Sequence, residues 1–322
     1  MPFEWTVAEA FPDLEPLPQD DGPDPVVQIA YSAEFVATMD IFRRVLAIGE
    51  FSERTLRLSA EVIELNAANY TAWQYRRKCL DELHAAAEPE ARREAWKREL
   101  EFCTEAVRQN MKNYQVWFHR RSCVERVGDA TGELAFVAEV LAEDAKNYHA
   151  WGHRQWVLKH FSLWEGELEY IDTLLAQDVR NNSAWNQRYY VLKHTADPTS
   201  HDVVGSELAY ALRHIEGEPD NPSPWAYLKG VVEPVGYEHF PQLRRAAERL
   251  GSPPYGDGGT AQCAQALGIL VEILSRKGAD DAEKQQAAEL CDTLATLDAI
   301  RVAYWNWRKT QVLDPLLSLI HI

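Results

Sequence analysis

The sequence lacks several features that mark common classes of protein. No apolar run approaches the roughly 18 residues that a transmembrane helix needs. The first five residues show no basic stretch followed by an apolar one, so a secretory signal peptide is not expected. The five cysteines are an odd number without a Cys-x-x-Cys pair, a pattern that favours free thiols in a reducing cytoplasm over disulfides or a zinc framework.

Positive charge is also scarce, with 33 Lys and Arg against 50 Asp and Glu and a formal net charge of -17. Proteins that bind nucleic acid need clustered cations, so a nucleic-acid partner is excluded. The glycine-rich phosphate-binding motifs and the Gly-x-Ser-x-Gly motif of hydrolases are absent. His149 and His153 are spaced like zinc ligands on a helix, but the Glu of a His-Glu-x-x-His motif is missing, and no metal site is expected on this chain.

One motif recurs along most of the sequence. An Asn is followed four residues later by Trp, and three residues after the Trp by Arg. The complete motif has its Trp at Trp73, Trp117, Trp151 and Trp185, while Trp225 and Trp305 carry partial copies. The steps between the tryptophans are 44, 34, 34, 40 and 80 residues, the last corresponding to two repeats of about 40. Periods of this size are typical of solenoids built from helical hairpins.

Residues 132–161 show how one repeat is organised. Leu134, Val137 and Leu141 form the apolar stripe of a first helix. Asn147 then suits an N-cap, which places Trp151 about one turn into a second helix. The tryptophans are expected to be core residues that pack as wedges between neighbouring repeats.

The repeated arginines need buried partners, because an unpaired charge in a core costs several kcal/mol. A short polar or acidic residue stands seven positions before each Trp. The sequence therefore predicts that Arg154 pairs with Asp144 and that Arg188 pairs with Asp178.

The order of segments predicts three parts. Residues 1–25 are rich in Pro, Asp and Gly and are expected to form an irregular arm. Residues 26–313 form the helical-hairpin repeat domain, with a loop at 251–259 and two long helices at 260–277 and 281–297. Residues 314–322 form an apolar tail to which no role is assigned.

Several segments, taken together and in this order, resemble those of a known family. They include Asp-Ala-Lys-Asn-Tyr at 144–148, and the whole set comprises residues 20–23, 29–32, 113–121, 144–156, 178–188 and 225–230. The chain resembles the α-subunit shared by protein farnesyltransferase and protein geranylgeranyltransferase type I, from about residue 16 to residue 309.

This resemblance implies an all-α, right-handed superhelical solenoid, similar to tetratricopeptide repeats, whose crescent wraps a separate β-subunit. The heterodimer would transfer a farnesyl or geranylgeranyl group from its diphosphate to the Cys of a C-terminal CaaX motif, forming a thioether, on substrates such as small GTPases. The β-subunit would hold the zinc and set the choice of isoprenoid, and magnesium would serve the farnesyl reaction. The enzyme would work in the cytoplasm and only as a heterodimer.

The resemblance also assigns site residues on this chain. Lys146 matches a lysine that contacts the diphosphate, and it is the one catalytic residue implied. Tyr148 and His149, on the same turn, match a segment near the isoprenoid and the carboxyl end of the CaaX motif. Asn181 and Trp185 match a second turn near the pocket. On spacing alone, Lys146 would be an ordinary solvated lysine and Trp185 a core residue.

Two alternatives remain open. The α-subunit of Rab geranylgeranyltransferase is similar in its helical repeats, but it is usually longer and lacks the Asp-Ala-Lys-Asn-Tyr turn. A tetratricopeptide-like scaffold without an enzymatic role would also fit the repeats. Copurification of a β-subunit would separate a transferase subunit from a scaffold.

Overall fold

The computed structural model describes residues 6–252 and 262–314. Over these residues the regular secondary structure consists of sixteen α-helices and two short 3-10 helices, without a strand. The chain divides after Leu163 into two compact units. The predicted all-α architecture of helical hairpins is confirmed.

Over residues 6–163, the first unit contains eight helices, of which the last six form three hairpins. Their bounds are α1 Val7–Ala10, α2 Ala33–Ile48, α3 Glu53–Leu65, α4 Tyr70–Leu83, α5 Pro89–Gln109, α6 Tyr114–Val127, α7 Glu133–Glu143 and α8 Tyr148–Phe161. The single turn of α1 lies in the arm that was expected to be irregular. It forms because Thr6 caps it by accepting a hydrogen bond from the backbone N–H of Glu9.

The described residues of the second unit, 164–252 and 262–314, contain the other eight helices as four hairpins. They are α9 Glu167–Gln177, α10 Asn182–Thr195, α11 His201–Gly217, α12 Pro222–Val232, α13 Pro241–Gly251, α14 Ala264–Leu274, α15 Asp281–Leu297 and α16 Val302–Leu313, with 3-10 helices at Tyr237–His239 and Ala299–Arg301. The 80-residue step between the last two tryptophans thus spans two hairpins, as expected. Most of the predicted loop at 251–259 and nearly all of the tail at 314–322 lie outside the described residues, and the three-part division stays a prediction.

The recurring Asn and Trp build the turn inside each hairpin. The Asn is the N-cap of the second helix, and its side chain accepts a hydrogen bond from a backbone N–H of the first turn, at Asn69, Asn113, Asn147, Asn181 and Asn221. The indole N–H of the Trp donates to the carbonyl six residues earlier at 2.8–2.9 Å in five repeats, those of Trp73, Trp117, Trp151, Trp185 and Trp225. All five tryptophans are buried. They are core residues, as predicted, and they also close the turn.

In two hairpins, a glycine is the N-cap of the first helix. Gly132 precedes α7 with a φ of 85°, and Gly166 precedes α9 with a φ of 78°. A side chain would be strained in this left-handed conformation, so glycine lets the chain reverse direction between hairpins.

Each unit has its own apolar core. In the first unit, Trp96 packs with Leu80 and Cys123. In the second, one continuous cluster runs from Ile171 to Val312. The five cysteines are free and buried, and burial raises the pKa of each thiol. They are packing residues with little thiolate at neutral pH.

Candidate functional site

The turn between α7 and α8 carries Lys146. Asp144 ends α7, and its Oδ1 accepts a hydrogen bond from the backbone N–H of Lys146 at 3.1 Å. Asn147 begins α8, and its Oδ1 accepts from the N–H groups of His149 and Ala150, both at 3.0 Å. The backbone on both sides of Lys146 is therefore fixed by side chains.

The Lys146 side chain itself is exposed. Within residues 6–163, the described part of its unit, no carboxylate lies within ion-pairing distance of its ammonium group. Asp144, two residues away, is instead paired with Lys112, whose Nζ lies 3.1 Å from its Oδ2. Lys112, with the backbone hydrogen bond from Lys146, holds the pKa of Asp144 below its usual range. An exposed ammonium on a fixed turn is suited to an anionic ligand.

The turn between α5 and α6 supports this turn from one side. The carbonyl of Met111 accepts a hydrogen bond from Trp117 Nε1 at 2.8 Å and a second from Asn147 Nδ2 at 3.1 Å. The ring of Tyr114 meets the ring of His149 at 89°, with centroids 4.3 Å apart. Backbone, ring and ion-pair contacts therefore join the two turns.

Sequence reasoning missed Lys112 and Tyr114 as neighbours of the Lys146 turn. Both stand 34 residues, one repeat, before their counterparts Lys146 and Tyr148. Because successive repeats stack, side chains at equivalent positions become neighbours. An alignment of the repeats with one another places Lys112 opposite Lys146 and Tyr114 opposite Tyr148, and this correspondence could have identified them.

Tyr148 and His149 follow Lys146 on the first turn of α8. The Tyr148 side chain is 74 % exposed. His149 is half-buried, and this burial lowers its pKa. Its ring is therefore neutral at neutral pH and has one donor and one acceptor nitrogen. The structure thus groups three of the five predicted site residues on one turn.

Asn181 and Trp185 lie in the second unit, at the start of α10. Asn181 is 2 % exposed, and its Oδ1 accepts from the N–H groups of Ser183 and Ala184 at 3.1 and 3.2 Å. Trp185 is 1 % exposed and donates its indole N–H to the carbonyl of Val179 at 2.9 Å. Both side chains are used by the fold, and a contact of either with a ligand stays a prediction.

Trp185 also lines an open cavity of about 260 Å³ between α10 and α12. Tyr189 and Tyr227 supply aromatic walls, and the exposed amides of Asn182 and Asn186 also line it. The accessible polar groups beside Trp185 are therefore these two amides rather than that of Asn181.

The prediction that each repeated Arg pairs with the acid seven residues before its Trp is wrong. Arg188 pairs with Glu207 at 2.7 Å and with Asp172 at 3.0 Å. Asp178 instead accepts the backbone N–H of Arg180 at 2.9 Å. Asp178 is the C-cap of α9, so its side chain accepts a hydrogen bond from a backbone N–H of the turn that follows this helix.

The same correction applies to Asp144, which pairs with Lys112 and not with Arg154. Arg154 donates to the carbonyl of Leu134 at 2.9 Å.

A separate column of four glutamates in the sequence supplies the carboxylate partners of three of these arginines. Each stands 18 residues before the Trp of its repeat, in the first helix, at Glu99, Glu133, Glu167 and Glu207. Three of them receive two hydrogen bonds from the Arg of the preceding repeat at 2.6–2.9 Å: Glu99 from Arg76, Glu133 from Arg120 and Glu207 from Arg188. Sequence reasoning missed this column because it sought the partner within one hairpin, whereas the guanidinium reaches the next.

A further donor to each Glu comes from the residue two positions after the Trp. His119 contacts Glu99 at 2.6 Å and His153 contacts Glu133 at 2.9 Å, while Gln187 donates to Glu167 at 2.8 Å and Tyr227 donates to Glu207 at 2.6 Å. Below, "glutamate clusters" means these four carboxylates with their Arg, His, Gln and Tyr donors.

Two of the glutamate clusters contain a histidine held neutral. Burial lowers the pKa of His119 and of His153. Burial opposes ionisation of Glu99 and Glu133, but their Arg and His donors outweigh it and hold the pKa of both below the usual range. Arg77 donates to Nδ1 of His119 at 3.3 Å, which leaves the proton on Nε2, facing Glu99.

Over residues 6–252 and 262–314, no group of three or more His, Cys, Asp or Glu side chains is placed to hold a metal ion. No helix in this part of the chain is both long and apolar enough to cross a membrane.

Comparison with protein families gives a match to the protein prenyltransferase alpha subunit repeat at residues 52–83, 96–127, 131–161 and 164–195. These ranges contain α3 with α4, much of α5 with α6, and the hairpins α7–α8 and α9–α10. The third range contains the Lys146 turn.

Two curated relatives carry the same name, protein farnesyltransferase/geranylgeranyltransferase type-1 subunit alpha. The one from Dictyostelium discoideum is 37% identical over 317 residues, covering 97% of this chain and 94% of the relative. The one from Solanum lycopersicum is 54% identical over 71 residues, covering 22% of this chain and 20% of the relative. The matches to the plant proteins thus span only about a fifth of their length.

Among solved structures, the chain is similar to a chain of the Candida albicans protein geranylgeranyltransferase-I complexed with GGPP. The TM-score is 0.78 at 26% sequence identity, and the match covers 94% of this chain and 98% of that one.

Proposed function

The chain belongs to the family of protein farnesyltransferase/geranylgeranyltransferase type-1 α-subunits, and on this premise we propose that it is the α-subunit of a heterodimeric protein prenyltransferase. With a β-subunit it transfers farnesyl or geranylgeranyl from the diphosphate to the Cys of a CaaX motif, and a thioether forms as the diphosphate leaves. The β-subunit selects the isoprenoid, and the substrates are CaaX proteins such as small GTPases.

The observation that carries this proposal is the state of Lys146. Its ammonium is exposed, its backbone is fixed by Asp144 and Asn147, and the neighbouring carboxylate is occupied by Lys112. Negative charge grows on the diphosphate as its bond to the isoprenoid breaks. A preorganised cation at that position favours the transition state over the ground state. Lys146 is therefore an electrostatic stabiliser rather than a base or a nucleophile.

Tyr148 and His149 are proposed to contact the isoprenoid and the carboxyl end of the CaaX motif. The exposed phenol of Tyr148 presents an apolar ring with a polar end, and the neutral His149 offers a hydrogen-bond donor and an acceptor. A substrate contact is proposed separately for Asn181 and Trp185 on their own turn, where Asn182 and Asn186 are the accessible polar groups.

The ions of the reaction are proposed to lie outside this chain. The described residues do not fit a zinc site, because they bring together no set of three ligands. The zinc is assigned to the β-subunit, and magnesium to the farnesyl diphosphate. A cytoplasmic location is proposed because the five buried cysteines are unpaired.

The proposal is tested with the purified chain, a β-subunit, farnesyl or geranylgeranyl diphosphate and a CaaX peptide. The chain alone is expected to show no transfer and the heterodimer is expected to be active. Robust turnover by the isolated chain would contradict the division of labour.

The role of Lys146 is tested by single-turnover transfer in the heterodimer. Lys146→Ala is expected to lower the rate by about 100-fold or more, the effect of losing one preorganised charge contact. Diphosphate binding should change much less, and Lys146→Arg should retain partial activity. Lys97→Ala is the control, since Lys97 is an exposed lysine of α5 paired with Glu94. A wild-type rate for Lys146→Ala would leave the lysine an ordinary surface residue.

A further inference from the structure

The carboxylate of Asp144 poses a problem for an anion bound at Lys146. Asp144 fixes the turn by accepting the Lys146 backbone N–H, so it is necessarily close to the lysine. Left to itself, its negative charge would repel a diphosphate and would attract the Lys146 ammonium. The second oxygen of Asp144 is instead paired, because it lies 3.1 Å from Nζ of Lys112.

The second unit contains an equivalent ion pair. There, a cation on the turn of one hairpin pairs with the acid at the end of the first helix of the next hairpin, α11. Arg180 occupies the position that corresponds to Lys112 and Lys146, and it pairs with Glu218 at 2.7 Å. The first repeat has Ala68 at this position and therefore no such pair with the turn that follows. The ion pair is thus a feature of particular turns and is not required to form a hairpin.

The charge of Asp144 is likewise not required for the turn. Asn66 occupies the same position in the first repeat, and its Oδ1 accepts the backbone N–H of Ala68 at 3.0 Å, as Asp144 does for Lys146. An amide therefore supports this turn as well as a carboxylate does. This equivalence allows the charge of Asp144 to be removed without removing its hydrogen bond.

We propose that Lys112 is a positioning residue for Lys146: by pairing with Asp144 it keeps this carboxylate from competing with the substrate diphosphate for the Lys146 ammonium. The inference rests on the proposed function, because it gives Lys146 a diphosphate to bind. Lys112 acts on the reaction through Asp144 and does not need to touch the substrate. Asn147 and Tyr114 hold the two turns in the register that this ion pair needs.

The test is a double-mutant cycle in the purified heterodimer, with single-turnover transfer as the readout. Lys112→Ala frees the carboxylate and is expected to lower the rate by about three- to tenfold, the effect of one partly screened charge. In the Asp144→Asn background, where no charge is left to compete, Lys112→Ala is expected to have no measurable effect. Lys112→Arg keeps the pair and should behave as the wild type does.

Two further readouts separate positioning from a structural role. Heterodimer assembly and thermal melting should be the same for Lys112→Ala as for the Lys97→Ala control. The loss caused by Lys112→Ala should also shrink as salt is added, because screening weakens the charge of the freed carboxylate.

The outcomes distinguish this inference from the proposed function. If Lys112→Ala is as active as the wild type while Lys146→Ala is impaired, the positioning role is overturned and the role of Lys146 stands. If Lys112→Ala causes the same loss in the wild-type and the Asp144→Asn backgrounds, Lys112 acts directly or structurally, and the inference is again wrong. If Lys146→Ala is itself unaffected, the proposed role of the turn fails.

Discussion

The two units use the same glutamate position with different partners. In the first unit, Glu99 and Glu133 each bind an Arg and a neutral His. In the second, Glu167 binds Gln187, and Glu207 binds Arg188 and Tyr227. The donor two residues after the Trp is thus His, His, Gln and Tyr in succession. What the position retains is a hydrogen-bond donor to a carboxylate. The type of residue that supplies this donor decides only whether the glutamate cluster contains a histidine, the side chain that titrates near neutral pH.

The largest effect on stability is expected from removing the carboxylate of a glutamate cluster. Glu133→Ala leaves Arg120 buried without its bidentate partner and should cost about 3–5 kcal/mol of unfolding free energy. Glu207→Ala should cost less, because Arg188 keeps Asp172 at 3.0 Å. Urea unfolding followed by circular dichroism measures both.

The control for this pair is Glu125→Ala, which removes the exposed ion pair with Arg121 and should change stability by about 0.5 kcal/mol or less. Equal losses for Glu133→Ala and Glu207→Ala would show that the second carboxylate does not compensate at Arg188.

The next effect is a pH dependence of stability that, among the glutamate clusters, is expected only from those that contain a histidine. Because burial lowers the pKa of His119 and His153, the unfolded chain binds protons below about pH 6.5 that the folded chain does not. Their contribution to stability is therefore present above pH 6.5 and is lost as the pH falls, by at most about 1.4 kcal/mol per pH unit for each histidine. Glu99 and Glu133 lose theirs at lower pH, since their pKa is also lowered.

The matched variant replaces His119 and His153 by Gln, the residue found at 187 in the second unit. It should keep a donor to each glutamate and flatten the fall in stability between pH 7 and about pH 5.5, as measured by urea unfolding. The fall should not vanish, because burial also lowers the pKa of His149 and His214. An unchanged slope would mean that these two clusters do not control the acid response.

The smallest effect concerns a feature that the units share. Asn147 and Asn221 cap their helices, and their Nδ2 atoms also donate to a carbonyl of the preceding repeat at 3.1 and 3.0 Å. Replacing either by Asp keeps the cap and loses this donor, at a cost of about 1 kcal/mol. Asn113→Asp should be close to neutral, since the Asn113 side chain caps its helix by accepting from Gln115, a role that Asp also fills. Equal effects at all three positions would show that the bond between repeats adds nothing.

The fold was largely readable from the sequence because its signals are local. Asn147 and Trp151 are four residues apart, and the contacts that place them are bonds to their own helix and turn. The helix predicted at 281–297 coincides with α15 for the same reason, since Asp280 and Glu283 form a capping box at its start. The short helix at 7–10 was missed because a single capped turn is too short to show periodicity.

The candidate site was readable only in part. Lys146, Tyr148 and His149 are neighbours in sequence, so their grouping follows from the chain itself, and the role that the resemblance to a family implies for them stays a prediction. Lys112 and Tyr114 belong to the preceding repeat, and their proximity depends on how the hairpins stack.

The sequence by itself determined that this protein is an array of helical hairpins turned by Asn and Trp, because those contacts close within a few residues. Only the tertiary structure decided which carboxylate each arginine meets. The guanidinium of Arg120 reaches past its own hairpin to Glu133 of the next, and that distance depends on the packing of one repeat against another. The same packing brings Lys112 to Asp144, while the Lys146 side chain stays exposed.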